Sequence, residues 1–193
     1  MSTSTTTIPA TLTGDYTLDP SHSRIGFVAR HAMVTKVRGS FNEFEGSGSL
    51  DAEDPARSHL TVTIRAASID TRNADRDAHL RSNDFFDMDR YPEIRYESTA
   101  VEQLDDDHYR VTGDLTIKDV TKPVTVDFEF TGTAVDPFGN QRIGLEGSTA
   151  INRKDFGVNW NAALDAGGVL VSDKVVLEFE VSAVRAEADE AAA

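Results

Sequence analysis

Apolar and polar residues alternate along several stretches of the chain, and this period of two is the feature that most limits its fold. The pattern is clearest in two late segments, whose apolar members are Val124, Val126, Phe128 and Phe130 in one and Val175, Leu177, Phe179 and Val181 in the other. Successive side chains of a β-strand point to opposite faces, so each segment predicts a strand with one buried face. Because antiparallel sheets can keep their other face in water, the chain is predicted to be an antiparallel all-β protein.

Further strands are predicted earlier in the chain, around residues 25–29, 60–64 and 111–117, where the same alternation recurs. Turn-forming sequences at residues 105–107, 119–123 and 136–140 separate the later runs. About eight strands at this spacing are typical of a β-sandwich or of a closed up-and-down barrel.

One stretch, residues 73–83, has no β-branched residue and predicts a short helix. Asn73 can cap its first turn, Asp75 and Asp77 suit its positive end, and Asp77 and Arg81 are spaced for a surface ion pair. The loop that follows, residues 84–92, carries two Phe, a Met and a Tyr, and we expect it to lie against the open end of a barrel.

The remaining organisation is that of one domain. Residues 1–14 are rich in Ser and Thr and are predicted to be a flexible arm, residues 15–185 the barrel, and residues 186–193 a flexible acidic tail. No apolar run approaches the roughly 20 residues of a membrane helix, and the N-terminus has neither the basic nor the apolar segment of a secretory signal. We therefore expect a cytoplasmic protein.

The charge balance and the lack of cysteine exclude several functions. The chain has 33 acidic and 19 basic residues, for a net charge of −14, which disfavours binding to nucleic acid or electrostatic docking on anionic membranes. It has no cysteine, so thiol catalysis, thiolate metal sites and iron–sulfur clusters are excluded.

Enzyme motifs are weak. Residues 46–49 lack the spacing of a nucleophile elbow, and no phosphate-binding loop is present. Asp75 and His79 are one helical turn apart and could share a metal ion, but Arg76 and Arg81 oppose a cation there, so a surface ion-pair cluster is the preferred interpretation. His31, at the end of a predicted strand, is either a ligand-facing group or a hydrogen-bonded structural residue.

Small residues on the predicted inner faces indicate how a barrel interior could be used. Ala29, Gly39, Gly113 and Gly147 fall on these faces, and we expect them to leave volume that the Phe side chains do not fill. An eight-stranded barrel can be filled by side chains or can hold one apolar ligand, and the small residues favour a ligand tunnel.

Several ordered motifs resemble the YceI-like family: residues 19–27 (DPSHSRIGF) with Arg30-His31, residues 68–71 (SIDT), residues 76–80 (RDAHL), residues 84–87 (DFFD), residues 113–124 and residues 153–157. The resemblance implies a lipocalin-like antiparallel eight-stranded barrel that holds a long isoprenoid lipid, such as a polyprenyl quinone, with no catalysis, no other cofactor and frequent homodimers. Many relatives are periplasmic, and the N-terminus of this chain departs from theirs.

The combined interpretation assigns residues to a ligand site. Phe27, Phe41, Ile117 and Phe128 are predicted to line the tunnel. The mouth or its cover is assigned to Leu80, Phe85, Phe86, Phe156 and Trp160, and a lipid head group to His31 or Arg76. Arg76, Asp77 and His79 could instead pin the helix to the barrel rim, which is the preferred role for these three. The alternatives to a lipid carrier are an interaction barrel with a filled core and a metal-dependent enzyme at Asp75 and His79.

Overall fold

The computed structural model describes residues 8–187, which form eleven β-strands and one α-helix joined by short turns and 3₁₀ helices. The strands are β1 (Gly14–Leu18), β2 (Arg24–His31), β3 (Thr35–Phe41), β4 (Phe44–Leu50), β5 (His59–Arg65), β6 (Ile69–Asp70), β7 (Glu93–Gln103), β8 (His108–Ile117), β9 (Val120–Val135), β10 (Gln141–Asn152) and β11 (Lys174–Arg185). The helix, α1 (Ala74–Arg81), lies between β6 and β7.

The strands close into an antiparallel barrel with eight strand positions around its circumference. β1 and β2 lie end to end along β11, β4 and β3 pair with them in turn, and β5 and β6 continue next to β4 and β3. These six short strands therefore occupy three of the eight positions, two strands in each. Strands β7 to β11 occupy the other five, and each is hydrogen-bonded to its neighbour in sequence. Pairing of β1 with β11 closes the barrel, and β6, paired only with β3, is the last strand of its branch of the sheet.

The alternation along the strands sorts side chains as the sequence predicts. In β9, Val124, Val126 and Phe130 are buried, whereas Thr125 and Asp127 are exposed on the outer surface. The turn predicted at residues 119–123 is shorter than expected. β9 already begins at Val120, and its pairing with β8 continues through residue 123, because a two-residue turn is enough to join antiparallel strands.

The two ends of the barrel are built differently. At one, here called the lid end, lie α1, residues 82–92, residues 153–173 and the β2–β3 turn. At the other, the base end, lie residues 8–13 and the loops that join β4 to β5, β7 to β8 and β9 to β10.

The base end is closed by residues from the segment that the sequence predicts as an arm. Ile8 and Leu12 are buried against Tyr16, Tyr109 and Phe130, and the Tyr16 hydroxyl donates to the Leu12 carbonyl at 2.8 Å. Residues 8–14 thus differ from the prediction, because two isolated apolar residues among threonines form no periodic pattern yet fill the barrel end. Residues 1–7 of the predicted arm and residues 188–193 of the predicted tail lie outside the described residues.

The predicted helix is present, and Asn73 caps it by accepting a hydrogen bond from the Arg76 amide at 2.9 Å. The expected pair between Asp77 and Arg81 does not form. Asp77 is buried and accepts from the amide and hydroxyl of Thr71, while Arg81 donates to main-chain carbonyls of residues 67 and 69. Both side chains therefore fasten α1 to the chain before it. Within residues 8–187, no helix is long and apolar enough to cross a membrane.

Candidate functional site: an apolar cavity along the barrel axis

The barrel encloses a cavity of about 340 Å³. Its wall includes Ile8 and Tyr109 at the base end and Leu80 and Phe86 at the lid end, so the cavity follows the barrel axis. The lining atoms are almost entirely apolar. Pockets for small ligands start at roughly 300 Å³, so the space is large enough for a substantial apolar ligand.

Aromatic rings lie over glycines in this wall. Phe27 pairs with Gly39 across β2 and β3, and Phe128 pairs with Gly147 across β9 and β10. A Cβ atom at Gly39 would overlap the Phe27 ring, and one at Gly147 would lie 2.8 Å from Cδ1 of Phe128. The space above these glycines is therefore filled by the rings, contrary to the expectation that it stays empty. The cavity lies further inside, between the rings.

The phenol groups of the wall are hydrogen-bonded within the protein. The Tyr96 hydroxyl donates to the carbonyl of Val124 at 3.0 Å, and burial raises the pKa of Tyr96 to about 12. Tyr16 is bonded to Leu12, as described above, and burial also raises its pKa. Both side chains stay neutral at ordinary pH and present carbon atoms to the cavity, which suits an apolar ligand.

The residues predicted to line a tunnel are brought together by the fold. Phe27, Phe41, Ile117 and Phe128 all lie in the cavity wall. The rings of Phe27 and Phe41 are 5.8 Å apart, and Phe128 stands 5.9 Å from the ring of Phe179 on β11. The four residues come from β2, β3, β8 and β9, so they cover different sides of the cavity.

The residues predicted at the mouth divide into two groups. Leu80, Phe85 and Phe86 of the lid end line the cavity. Trp160 and Phe156 do not border it. Trp160 instead stacks edge-on against His79 at 4.6 Å and lies 5.4 Å from Phe85, and Phe156 is buried in the core. These two residues support the lid rather than face a ligand.

The proposed head-group residues do not reach the cavity. The Arg76 guanidinium donates to the hydroxyl and the carbonyl of Thr71, each at 2.7 Å, and His31 is exposed at the end of β2. His79 bonds Asp84 at 2.8 Å. Arg76 and Asp77 thus tie the start of α1 to Thr71, next to β6, whereas His79 is bonded to the loop that follows the helix. Over residues 8–187, no group of three or more His, Asp or Glu side chains is placed to hold a metal ion.

Arg153 is a site residue that the sequence reasoning did not single out. Its side chain is nine-tenths or more buried, borders the cavity and donates to the carbonyls of Ser172, Val158 and Trp160 at 2.8, 2.7 and 2.9 Å. Burial lowers its pKa, and the carboxylate of Asp173 at 3.7 Å opposes that shift. Through these hydrogen bonds, Arg153 holds the segment of residues 158–173 in place at the lid end. The available signal was its position in the motif of residues 153–157.

Comparison with known proteins shows which family this chain resembles. The YceI-like domain model matches residues 16–183. A UPF0312 protein of Photorhabdus laumondii subsp. laumondii is 43% identical over 147 residues, which cover 75% of this chain and 76% of the relative. A UPF0312 protein of Staphylococcus aureus strain N315 is 40% identical over 170 residues, which cover 88% of this chain and 95% of the relative.

Solved structures have the same fold. BcnA of Burkholderia cenocepacia superimposes with a TM-score of 0.76 at 25% identity, covering 86% of this chain and 98% of that one. The Campylobacter jejuni YCEI protein gives 0.70 at 31% identity, covering 82% and 90%. A polyisoprenoid binding domain from Saccharophagus degradans gives 0.67 at 14% identity, covering 89% and 98%, a likeness of fold alone. With the family model spanning nearly the whole barrel, the chain belongs to the YceI-like family.

Proposed function

We propose that the barrel binds a long-chain isoprenoid lipid, such as a polyprenyl quinone or a related compound, and stores or transports it without catalysis. The observation that carries the proposal is the axial cavity of about 340 Å³ with its apolar wall. The fold-level likeness to a protein described as a polyisoprenoid binding domain supports this ligand class.

The energetics of such a ligand suit the wall. Each buried CH₂-sized group contributes about 0.8 kcal/mol, so a chain of several isoprene units binds without any polar contact. The cavity is bordered by side chains from both barrel ends, which favours an elongated molecule over a compact one. Part of the gain offsets the lost freedom of the flexible chain.

The roles of the charged residues at the lid end support binding rather than catalysis. Arg76 and Asp77 are hydrogen-bonded to Thr71, and His79 is bonded to Asp84, so each has a structural partner outside the cavity. The cytoplasmic location expected from the sequence and the homodimer implied by the family resemblance stay proposals, and sedimentation of the purified protein tests the second.

Mass spectrometry of the bound material tests the ligand. Protein purified without detergent is extracted with organic solvent, and the expected result is an isoprenoid lipid in near-stoichiometric amount. Delipidated protein should then take up an added polyprenyl quinone. Absence of lipid in the extract together with no uptake of the added quinone would rule the proposal out.

A charge placed inside the cavity tests where the ligand lies. Phe128→Glu puts a carboxylate in the apolar wall and should abolish uptake, because an isolated charge is poorly solvated there. The matched control is Thr125→Glu, which adds the same charge on the outer face of the same strand and should bind normally. Normal uptake by a folded Phe128→Glu protein would show that the ligand binds elsewhere.

A further inference from the structure

The β2–β3 hairpin differs in charge from the rest of the chain. Residues 20–42 contain four Arg and Lys residues and no Asp or Glu, although the whole chain has 33 acidic residues. Strands β2 and β3 fall within this acid-free segment. The hairpin is therefore a local positive feature on a strongly negative protein.

Two of its cations have no counter-charge. Arg30 and Lys36 are directly opposite each other in the β2–β3 register, an arrangement that is unfavourable for like charges. Both are exposed, and neither makes an ion pair with any residue between 8 and 187. Arg24 and Arg38, by contrast, share Glu178 at 3.4 and 3.7 Å. Arg30 donates to the Val34 carbonyl at 3.2 Å, so its side chain is held at the tip while its charge, like that of Lys36, has no carboxylate partner among the described residues.

The tip itself is apolar. Met33 is 57% exposed and Val34 75% exposed. The Val34 amide donates to the His31 carbonyl at 3.0 Å, and Ala32 and Met33 both have positive φ, 51° and 61°. Such turns usually contain Asn and Gly, so this chain accepts backbone strain at a tip that presents apolar side chains to solvent.

A second apolar segment lies beside the tip. The Ala32 amide donates to the Leu170 carbonyl at 2.7 Å, and Val169 is 36% exposed. Residues 156–172 contain a single charged residue, Asp165. Met33, Val34 and Val169, with Arg30 and Lys36 at their edge, are called the hairpin patch below.

The hairpin patch adjoins the cavity. Ala29 of β2 and Val171, which bridges to His31, both lie in the cavity wall. The patch is therefore at the lid end, beside the segments that cover the cavity. A surface that met the patch would also meet this end of the ligand site.

We infer that the hairpin patch docks the barrel on an anionic lipid bilayer. Exposed apolar side chains next to cations match the layered chemistry of such a surface, an apolar interior beneath anionic phosphates. The net charge of −14 argues against docking only as an average, because charges beyond about 8 Å are screened at physiological salt. The inference rests on the proposed lipid binding for its purpose, since the bilayer would supply or receive the ligand.

The base end provides an internal comparison. Phe138, in the β9–β10 turn, is 89% exposed, more than any apolar residue of the hairpin patch. Its neighbour is Asp136, and the nearby β7–β8 turn contains three consecutive aspartates, residues 105–107. If exposure alone decided docking, this end would bind the bilayer. If charge complementarity is needed, the hairpin patch would bind.

Vesicle co-flotation tests the inference with purified full-length protein and vesicles of phosphatidylcholine with or without phosphatidylglycerol. Binding is expected to the anionic vesicles and to fall as salt is raised. Arg30→Gln with Lys36→Gln should lower the vesicle affinity by about 25-fold, near fivefold for each cation removed. Met33→Ser with Val34→Ser should weaken binding to both kinds of vesicle, and the matched control Phe138→Ser should bind like the wild type. All these residues are exposed, so unchanged thermal midpoints should show that the variants fold.

Three results would overturn the inference. The first is that the wild-type protein does not bind anionic vesicles. The second is that Phe138→Ser loses as much binding as the hairpin variants. The third is that the wild-type protein is a dimer that does not bind vesicles and that the hairpin substitutions convert to a monomer. The last would identify the patch as a contact with a second copy. Uptake of a polyprenyl quinone supplied in detergent separates the two proposals, because the hairpin variants should take it up normally. If wild-type protein fails in detergent as well, the lipid-binding function itself is wrong.

Discussion

Filling the cavity should stabilise the empty protein and weaken its ligand binding, and Val181→Phe tests both effects. Val181 points inward from β11 and lies in the cavity wall. Phe adds four carbon atoms, which at about 0.8 kcal/mol per buried CH₂-sized group sets an upper limit of about 3 kcal/mol. Imperfect fit and side-chain ordering reduce this, so we expect stabilisation of about 1–2 kcal/mol.

The added ring should lower the affinity for the ligand, because it occupies space that the lipid would otherwise fill. A benzyl group that displaces two or three CH₂-sized groups of lipid removes about 2 kcal/mol, or about thirty-fold in affinity. The measurements are urea unfolding of delipidated protein, read as a shift in midpoint at constant slope, and titration with a polyprenyl quinone. The control Val135→Phe makes the same change at a position that is 66% exposed, and it should alter stability by less than about 0.5 kcal/mol.

The opposite sign would refute this reasoning. If side chains fill the barrel, as in the alternative interpretation of the sequence, Val181→Phe overpacks the core and costs about 1–3 kcal/mol. Destabilisation of that size with a neutral control would show that no usable cavity exists. Stabilisation with unchanged affinity would place the ligand away from β11.

Two further predictions concern charged residues. Arg142 donates to Asp136 and Asp19 at 2.8 and 2.6 Å. The pKa of Asp136 is held well below its usual range chiefly by Arg142, and that of Asp19 by Ser21 and then Arg142. This stabilisation is present above the ordinary carboxyl pKa of 3.8 and is lost as pH falls below it. Arg142→Gln should therefore lower the melting temperature at pH 7 and progressively less below pH 3.8, and a difference that stays constant below pH 3.8 would contradict the assignment. Arg153→Met leaves two buried carbonyls, of Ser172 and Val158, and the part-buried carbonyl of Trp160 without their donor and should cost about 3 kcal/mol. New proteolysis within residues 158–173 is expected, and an unchanged cleavage pattern would show that Arg153 does not order this loop.

Local physics explains why much of the fold could be predicted. The direction of a strand side chain is set by its own backbone, so alternation along residues 124–130 and 175–181 was enough to predict which face is buried. The cap of α1 is equally local, because Asn73 bonds an amide only three residues away. Three of the predicted tunnel residues, Phe27, Ile117 and Phe128, reached the cavity for the same reason, each being an inward-facing member of an alternating series.

Contacts between distant segments could not be predicted in this way. Asp77 and Arg81 have suitable helical spacing, but their partners lie in the chain before the helix. His31 and Arg76 were assigned to a lipid head group from the sequence, but only the packing of the lid end decides that their side chains do not reach the cavity. Ile8 and Leu12 have no local pattern, and their burial depends on the barrel end that they cover.

The sequence by itself determined that this protein is an antiparallel all-β chain with one short helix, since strand alternation and capping depend on neighbouring residues. Alternation left a sandwich and a barrel open, and the resemblance to the YceI-like family favoured the barrel. Tertiary structure decided the rest. Pairing of β1 with β11, about 170 residues apart along the chain, closes the barrel, and the cross-strand stacking of rings on glycines shapes the cavity. Pairing of β2 with β3 sets Arg30 opposite Lys36 near the tip of their hairpin. These features depend on register between strands, which the composition of any single strand does not contain.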